Sequence, residues 1–226
     1  MNQRRESQKE SLVSVAVDSV ALEGNLCIPK AAEGVVLFAH GSGSSRHSPR
    51  NRFVAEVLGE AGLATFLIDL LTEEEEAIDR RTRQLRFNIN LLATRLAGAT
   101  DWLLHNPSTR HLQIGYFGAS TGAAAALVAA TQRPQAVSAI VSRGGRPDLA
   151  DSVLSQVQAP TLLIVGGNDD PVIAMNQSAL AKLQTEKQLK IIPGATHLFE
   201  EPGTLEQVSQ LASQWFEQYL SSTLVS

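Results

Sequence analysis

Short apolar runs alternate along this chain with longer stretches whose apolar residues recur at helical spacing. The first two runs, residues 12–19 and 20–29, predict two antiparallel strands. Further strands are predicted at 34–40, 64–70, 112–117, 136–142, 160–167 and 188–193. Helices are predicted at 50–61, from about 91 to 106, after residue 120, at 148–157, at 172–183 and from about 205 to 219. Because strands alternate with helices, the pattern predicts an α/β fold with a largely parallel sheet and right-handed crossovers.

The last predicted helix has a clear apolar face and a possible start signal. Leucine, valine, tryptophan and tyrosine residues recur at helical spacing from Leu205 to Tyr219. Thr204 and Gln207 resemble a capping box, in which each side chain accepts from a backbone N–H near the helix start. We therefore predict that Thr204 caps this helix.

Length and composition indicate one globular domain, predicted to span residues 11–226 after a disordered polar tail at residues 1–10. A net charge of −4 argues against non-specific nucleic-acid binding. The single cysteine, Cys27, excludes an internal disulfide and a cysteine-rich zinc site, and we expect no metal or cofactor. The tail lacks the apolar core of a signal peptide, and no apolar run approaches the roughly 20 residues of a membrane span. We therefore predict a cytoplasmic location.

Residues 111–130 predict a strand, a sharp turn and a helix, with Ser120 at the tip of the turn. A run of alanines, the best helix formers, follows the turn. Gly118 and Gly122 complete the pattern G-x-S-x-G, in which glycines flank the serine because the turn leaves no room for side chains. The serine hydroxyl then stands clear of the sheet and becomes a nucleophile once a base takes its proton. The alternative is an ordinary turn that happens to carry a serine.

A reactive serine of this kind needs an acid and a histidine, which follow it in that order along the chain. Of the five histidines, only His197 comes after Ser120. It lies in a loop just past the last predicted strand, where a base can reach the serine. The alternative for a single loop histidine is a solvated surface group, but the order rule favours His197 as the base.

The acid must lie between the serine and the histidine, where five acidic residues occur. They are Asp148, Asp151, Asp169, Asp170 and Glu186. Asp169 and Asp170 follow the strand at 160–167, and the carboxyl ends of parallel strands line the ligand crevice in open α/β sheets. Asp170 precedes Pro171, which favours a place at the start of the next helix. We therefore predict that Asp169 orients His197, with Asp170 as the alternative.

The segments GASTG, LLIVGGNDD and PGATH occur in the order found in α/β hydrolases, and the chain resembles that superfamily over nearly its whole length after the tail. Its compact size most resembles the dienelactone hydrolase branch. The resemblance implies an α/β-hydrolase fold, with a mostly parallel twisted sheet of about eight strands, helices on both faces and little or no lid. Dienelactone hydrolases proper carry a cysteine nucleophile, whereas this chain has Ser120. The resemblance therefore implies ester-type hydrolysis rather than lactone cleavage in particular.

The loop His40–Ser44 after the strand at 34–40 matches the oxyanion loop of that superfamily. The resemblance places the oxyanion-binding N–H groups on Ser42 and on Thr121, the residue after the nucleophile. A phosphate-binding loop is the competing interpretation, but Arg46 stands where its third glycine belongs. His40 is expected to shape the loop rather than to act as a base.

Arginines cluster after the oxyanion loop and after the strand at 136–142. They are Arg46, Arg50, Arg52, Arg143 and Arg146. Because arginine suits bidentate binding of carboxylate or phosphate, one hypothesis is that Arg46, Arg143 and Arg146 help bind an anionic acyl substrate. The alternative, which we favour, is surface pairing with Glu73–Glu76 or Asp148. The charged segment 73–86 is a candidate flap, but a solvated helix start is the preferred interpretation.

These features predict a serine hydrolase that cleaves a small ester, lactone or thioester through an acyl-enzyme, using Ser120, Asp169 and His197. Little sequence separates Ser142 from the next predicted helix, which favours an open site. A non-catalytic α/β-hydrolase-fold binding protein and an acyltransferase are the alternatives. The sequence does not specify the acyl group, the leaving group or the oligomeric state.

Overall fold

Eight strands form one sheet in the computed structural model, which describes residues 10–221. They are β1 (Glu10–Val17), β2 (Val20–Cys27), β3 (Gly34–Ala39), β4 (Ala64–Ile68), β5 (Gln113–Ala119), β6 (Val137–Arg143), β7 (Thr161–Gly166) and β8 (Lys187–Ile192). Their order across the sheet is β1-β2-β4-β3-β5-β6-β7-β8. β2 pairs antiparallel with β1 and β4, and the remaining neighbours are parallel. The predicted, mostly parallel sheet of about eight strands is confirmed.

Helices cover both faces of this sheet, as predicted. They are α1 (Pro49–Glu60), α2 (Glu73–Thr82), α3 (Ile89–His105), α4 (Thr121–Gln132), α5 (Asp170–Lys182) and α6 (Thr204–Leu220), with 3-10 helices at Leu85–Phe87 and Pro147–Gln156. The first and last helices share one core with alternate strand residues such as Phe38 and Phe117. The helices α3, α4 and α5 share the other core with the intervening residues, such as Leu37 and Tyr116. Because β3 and β5 are buried on both faces, their sequences are continuous apolar runs.

The carboxyl ends of the parallel strands carry short connections. Ser120 alone separates β5 from α4, and residues 144–146 alone separate β6 from the following 3-10 helix. Nothing is inserted after β6 that could form a lid, as the brevity of the sequence there predicts. The edge of the sheet where these strands end is therefore open.

The start of α6 differs from the prediction. Gly203, with φ 81°, holds the cap position, and Thr204 is already the first helical residue. The Thr204 hydroxyl donates to the Glu201 carbonyl in the preceding turn, at 2.7 Å. The predicted capping box of Thr204 and Gln207 is therefore wrong, because the left-handed glycine brings the chain into the helix one residue earlier.

The amino-terminal part of the predicted domain begins one residue earlier than expected. Glu10 is the first residue of β1 and pairs with Cys27, whereas the rest of the predicted tail, residues 1–9, lies outside the described residues. Among the helices that the structure describes, none has the length and apolar character needed to cross a membrane.

Candidate active site

The turn at Ser120 has the strained geometry that the G-x-S-x-G pattern predicts. Ser120 has φ 51° and ψ −120°, a positive φ that residues with a side chain rarely adopt. Strain of this kind costs about 1–3 kcal/mol and persists only where the surrounding structure enforces it, typically at functional sites. The buried strand β5 and the buried helix α4 enforce it here.

The two flanking glycines make this turn possible. A Cβ atom at Gly122 would collide with the carbonyl oxygens of Ala39 and His40, and one at Gly118 would collide with the backbone of Ala123. These contacts show that α4 packs directly against the end of β3 and against the turn itself. The pattern therefore reflects close backbone packing and not an accidental serine in a loose turn.

His197 lies in the loop after β8, and its ring contacts Asp169 at the end of β7. The distance between His197 Nδ1 and Asp169 Oδ2 is 2.6 Å. The aspartate is 13% exposed and the histidine 38% exposed, so the carboxylate is shielded while the imidazole faces the open edge. Asp169 occupies the cap position of α5, and Asp170 is the first residue of that helix. The structure therefore brings Asp169, the preferred of the two acids, to His197.

Ser120 borders Arg143, the last residue of β6, and His197 borders Gly144, the residue that follows it. The Ser120 N–H donates to the Arg143 carbonyl at 3.2 Å. Gly144, with φ 52°, faces the histidine, since a Cβ atom there would lie 3.5 Å from His197 Cε1. Within residues 10–221 no hydrogen bond joins Ser120 Oγ to the imidazole, and such bonds often tighten only when substrate binds.

The proposed oxyanion residues lie beside the serine. The hydroxyl groups of Ser42 and Thr121 are hydrogen-bonded at 2.9 Å. Gly41 approaches Ser120 so closely that a Cβ atom on it would lie 3.2 Å from Ser120 Cβ. Thr121 is the first residue of α4, so its N–H has no acceptor within the helix. This arrangement can offer backbone donors to a negatively charged oxygen next to the nucleophile.

His40 shapes the oxyanion loop, in line with its expected role. Its Nε2 accepts from the Leu70 N–H at 3.0 Å, so the proton of a neutral ring is on Nδ1. That nitrogen lies 3.0 Å from the Gly41 carbonyl. Both ring nitrogens are thus engaged with the backbone, and His40 ties the loop to the end of β4.

The charged segment after residue 72 forms helix α2, and Arg86 in the following 3-10 helix contacts the oxyanion loop. Thr72 and Glu75 form a capping box at the start of α2, which supports the preferred helical interpretation. Asp79, only 1% exposed, accepts from the N–H groups of Leu85 and Arg86 and from Arg86 Nε, the last at 2.5 Å. The Ser42 hydroxyl in turn donates a hydrogen bond to the Arg86 carbonyl at 3.4 Å.

Asp79 is a residue that reasoning from the sequence missed. Burial acts to raise the pKa of its carboxyl group, but hydrogen bonds from Arg86 and Leu85 outweigh this effect and lower the pKa below its ordinary value. Nothing in the run of charges from residue 73 to 86 distinguishes this buried carboxylate from its solvated neighbours. Its contacts become visible only when the segment is folded.

The candidate substrate-binding arginines have different environments. Arg46 pairs with Asp69 and with Glu23, and Arg146 forms a two-bond pair with Asp148. Arg46 and Arg146 are therefore both engaged in ion pairs, although the partners of Arg46 are not the predicted Glu73–Glu76. Arg143 is instead buried at the end of β6 and has a guanidinium Nη1 without a hydrogen-bond partner.

Comparisons with known proteins agree with the fold. The model of the dienelactone hydrolase family matches residues 22–221. A crystal structure of a dienelactone hydrolase from Anabaena variabilis is 70% identical, with a TM-score of 0.93 over 94% of this chain and 99% of that one. An α/β serine hydrolase without a lid, from Xanthomonas campestris, has a TM-score of 0.76 at 17% identity, covering 95% of this chain and 97% of its own. The predicted α/β-hydrolase fold is confirmed.

A longer protein of Mycobacterium tuberculosis is 57% identical over 212 residues and is provisionally named a phosphoribosyl transferase. The match covers 94% of this chain but 47% of that protein. The chain thus spans about half the length of the curated relatives that it matches over most of its length.

Proposed function

Because this chain belongs to the dienelactone hydrolase family, we propose that it is a serine hydrolase acting on a small ester, lactone or thioester. The observation that carries this proposal is the strained Ser120 turn at the same sheet edge as the pair formed by His197 and Asp169. A serine, a shielded acid and an accessible histidine are the groups that acyl transfer through an acyl-enzyme needs.

In the first half of the reaction, His197 Nε2 takes the proton from Ser120 Oγ as this oxygen attacks the substrate carbonyl carbon. The carbonyl oxygen becomes an oxyanion, which the backbone N–H groups of Ser42 and Thr121 stabilise. When the bond to the leaving group breaks, the imidazolium gives its proton to that group. In the second half, His197 activates water, which attacks the acyl-enzyme and releases the acid and free Ser120.

Asp169 supports both halves through its contact with His197. Its carboxylate accepts a hydrogen bond from Nδ1–H, which leaves Nε2 free to act as the base. The negative charge also stabilises the imidazolium that forms at each step. Since Asp169 is held at the start of α5, it fixes the orientation of the histidine ring.

The direct test of this proposal is the activity of Ser120→Ala on p-nitrophenyl esters of different chain length. We expect the rate to fall by as much as about 10⁶-fold, as in triad enzymes that lose their nucleophile. Ser155→Ala, at an exposed serine in the 3-10 helix after β6, is the matched control and should retain wild-type turnover. Normal turnover by Ser120→Ala would contradict the proposal.

Acyl transfer to an acceptor other than water would use the same acyl-enzyme, and product analysis with added alcohols separates the two reactions. A non-catalytic binding protein would not turn over any ester in the panel. We do not propose phosphoribosyl transfer, the activity named for the longer relative, because this chain spans only 47% of that protein. The cytoplasmic location and the lack of a cofactor stay predictions.

A further inference from the structure

We propose that Arg143 and Arg50 form a binding site for an oxyanion group of the substrate, a carboxylate or a phosphate, beside the histidine loop. The identification of the ligand as substrate rests on the proposed hydrolase function, whereas the anion site itself does not. The other candidate arginines, Arg46 and Arg146, are already paired and are not part of this site.

Arg143 carries a buried charge for which the described residues provide no partner. It is 8% exposed, and its Nη1 is buried without a hydrogen-bond partner. Within residues 10–221 no carboxylate forms an ion pair with this side chain. An uncompensated buried charge and an unpaired buried donor are both strongly unfavourable, so proteins rarely retain them without a partner. A bound anion would compensate both.

Arg50 adds a second cation to the same place. Burial, and after it the nearby charge of Arg50, lower the pKa of Arg143 to about 10, which still leaves Arg143 protonated at neutral pH. The Nε of Arg50 is also buried without a partner, and its Nη1 donates at 3.0 Å to Glu200, which is exposed. Of the two guanidinium groups, therefore, only that of Arg50 has a carboxylate partner, and that partner is the exposed Glu200.

The start of α1 reinforces this positive potential. Arg50 is the second residue of this twelve-residue helix, whose N-terminus carries a partial positive charge and N–H groups that have no acceptor within the helix. Helix N-termini favour carboxylate and phosphate groups for this reason. Together with the two unpaired guanidinium donors, the helix start forms a site suited to an oxyanion.

The site borders the groups that react. The Arg143 carbonyl accepts the N–H of Ser120, and Glu200 follows His197 by three residues. The oxyanion loop is held from elsewhere, by Arg86 and Thr121. Because His197 delivers a proton to the leaving group, an anion beside the histidine loop belongs to the leaving-group half of the ester.

The test uses three phenyl acetates that differ only in the group at the 4-position: a carboxylate, a phosphate ester and a neutral carboxamide. We expect Arg143→Gln to lower kcat/KM for the better anionic ester by about 10- to 100-fold, the effect of losing a charge-assisted hydrogen bond. The neutral ester should change by less than about 3-fold, since it makes no such bond. The anion with the larger loss identifies the natural group as carboxylate or phosphate.

Arg146→Gln is the matched control, because it removes an arginine three residues away whose charge is already paired with Asp148. This variant should leave kcat/KM for each of the three esters unchanged. The hemisuccinate ester of 4-hydroxybenzamide places the charge on the acyl side instead. A loss confined to that ester, or an equal loss on charged and neutral esters, would overturn the proposal.

A binding measurement that does not depend on turnover separates this proposal from the proposed function. 4-Hydroxybenzoate or inorganic phosphate should raise the melting temperature of the wild-type protein, and less so that of Arg143→Gln and Arg50→Gln. If Arg143→Gln does not fold, Arg50→Gln provides the test, since Arg50 is partly exposed and its substitution should disturb the fold less. Stabilisation that is equal in all three proteins, or absent from the wild type, would contradict the anion site, whatever the hydrolase activity.

Discussion

The two sides of the candidate site are built in different ways. On the acid–base side, Ser120, Asp169 and His197 follow β5, β7 and β8, so the sheet backbone itself brings them to one edge. On the oxyanion side, the loop at 41–48 is held by side-chain hydrogen bonds to residues far along the chain, among them the bond from Ser42 Oγ to the carbonyl of Arg86, which Asp79 in turn holds. The first side is thus fixed by topology and the second by a small set of side-chain contacts.

This difference predicts where substitutions act. Changes on the acid–base side should remove chemistry while leaving the fold intact, because the strand ends hold their positions without those side chains. Changes on the oxyanion side should affect both stability and rate, since the contacts that position the loop also bury a charged group.

The largest of these effects is expected for Asp169→Asn. The amide keeps the shape of the side chain but no longer favours the Nδ1–H tautomer of His197, so kcat should fall by about 10⁴-fold, as for the equivalent change in a serine protease triad. Stopped ester assays measure the loss of kcat, and a urea unfolding curve measures the free energy of unfolding, which should change little. Asp170→Asn, one residue further in α5, is the control and should stay near wild-type activity. A similar loss in both variants would show that helix placement, not the contact with His197, matters.

A smaller and mixed effect is expected for Asp79→Asn. The loss of a charge-assisted contact to Arg86 should lower the free energy of unfolding by about 1–3 kcal/mol. Once Arg86 is released, its contact with Ser42 loosens and the oxyanion donor is misplaced. Removing such a donor lowers the rate by about 10²–10³-fold, so misplacing it should lower kcat by up to about 10-fold, while KM changes less. Glu74→Gln, an exposed carboxylate on the same helix, should change neither quantity. If Asp79→Asn lost stability with no change in kcat, the link to the oxyanion loop would be wrong.

The smallest effect concerns pH. Because hydrogen bonds in the folded state lower the pKa of Asp79, its contribution to stability is complete above the ordinary pKa of an aspartate, about 3.9, and disappears as the pH falls through the lowered value. The difference in unfolding free energy between wild type and Asp79→Asn should therefore be constant from pH 7 to about pH 5 and shrink below about pH 4. Urea titrations at a series of pH values measure it. A difference that grows on acidification would contradict the lowered pKa.

The same contrast explains how much the sequence could predict. Strand ends are visible as the limits of apolar runs, so Ser120, His197 and the choice of Asp169 over Asp170 follow from order along the chain and from Pro171. Asp79 was not identifiable in this way, since a buried charge and a solvated one look the same in a charged segment. Arg143 was a candidate from the sequence, but its burial without an ion-pair partner depends on contacts in the folded chain. The prediction that Thr204 caps α6 was wrong for a related reason, because the left-handed turn at Gly203 determines where α6 begins.

The central claim is that Ser120 is an activated nucleophile, and intact-mass analysis after treatment with a fluorophosphonate tests it most directly. We expect one adduct per chain, located on Ser120 by peptide mapping, absent from Ser120→Ala and formed much more slowly in His197→Ala. A wild-type protein that stays unlabelled under conditions that label a known serine esterase, or an adduct on another residue, would contradict it.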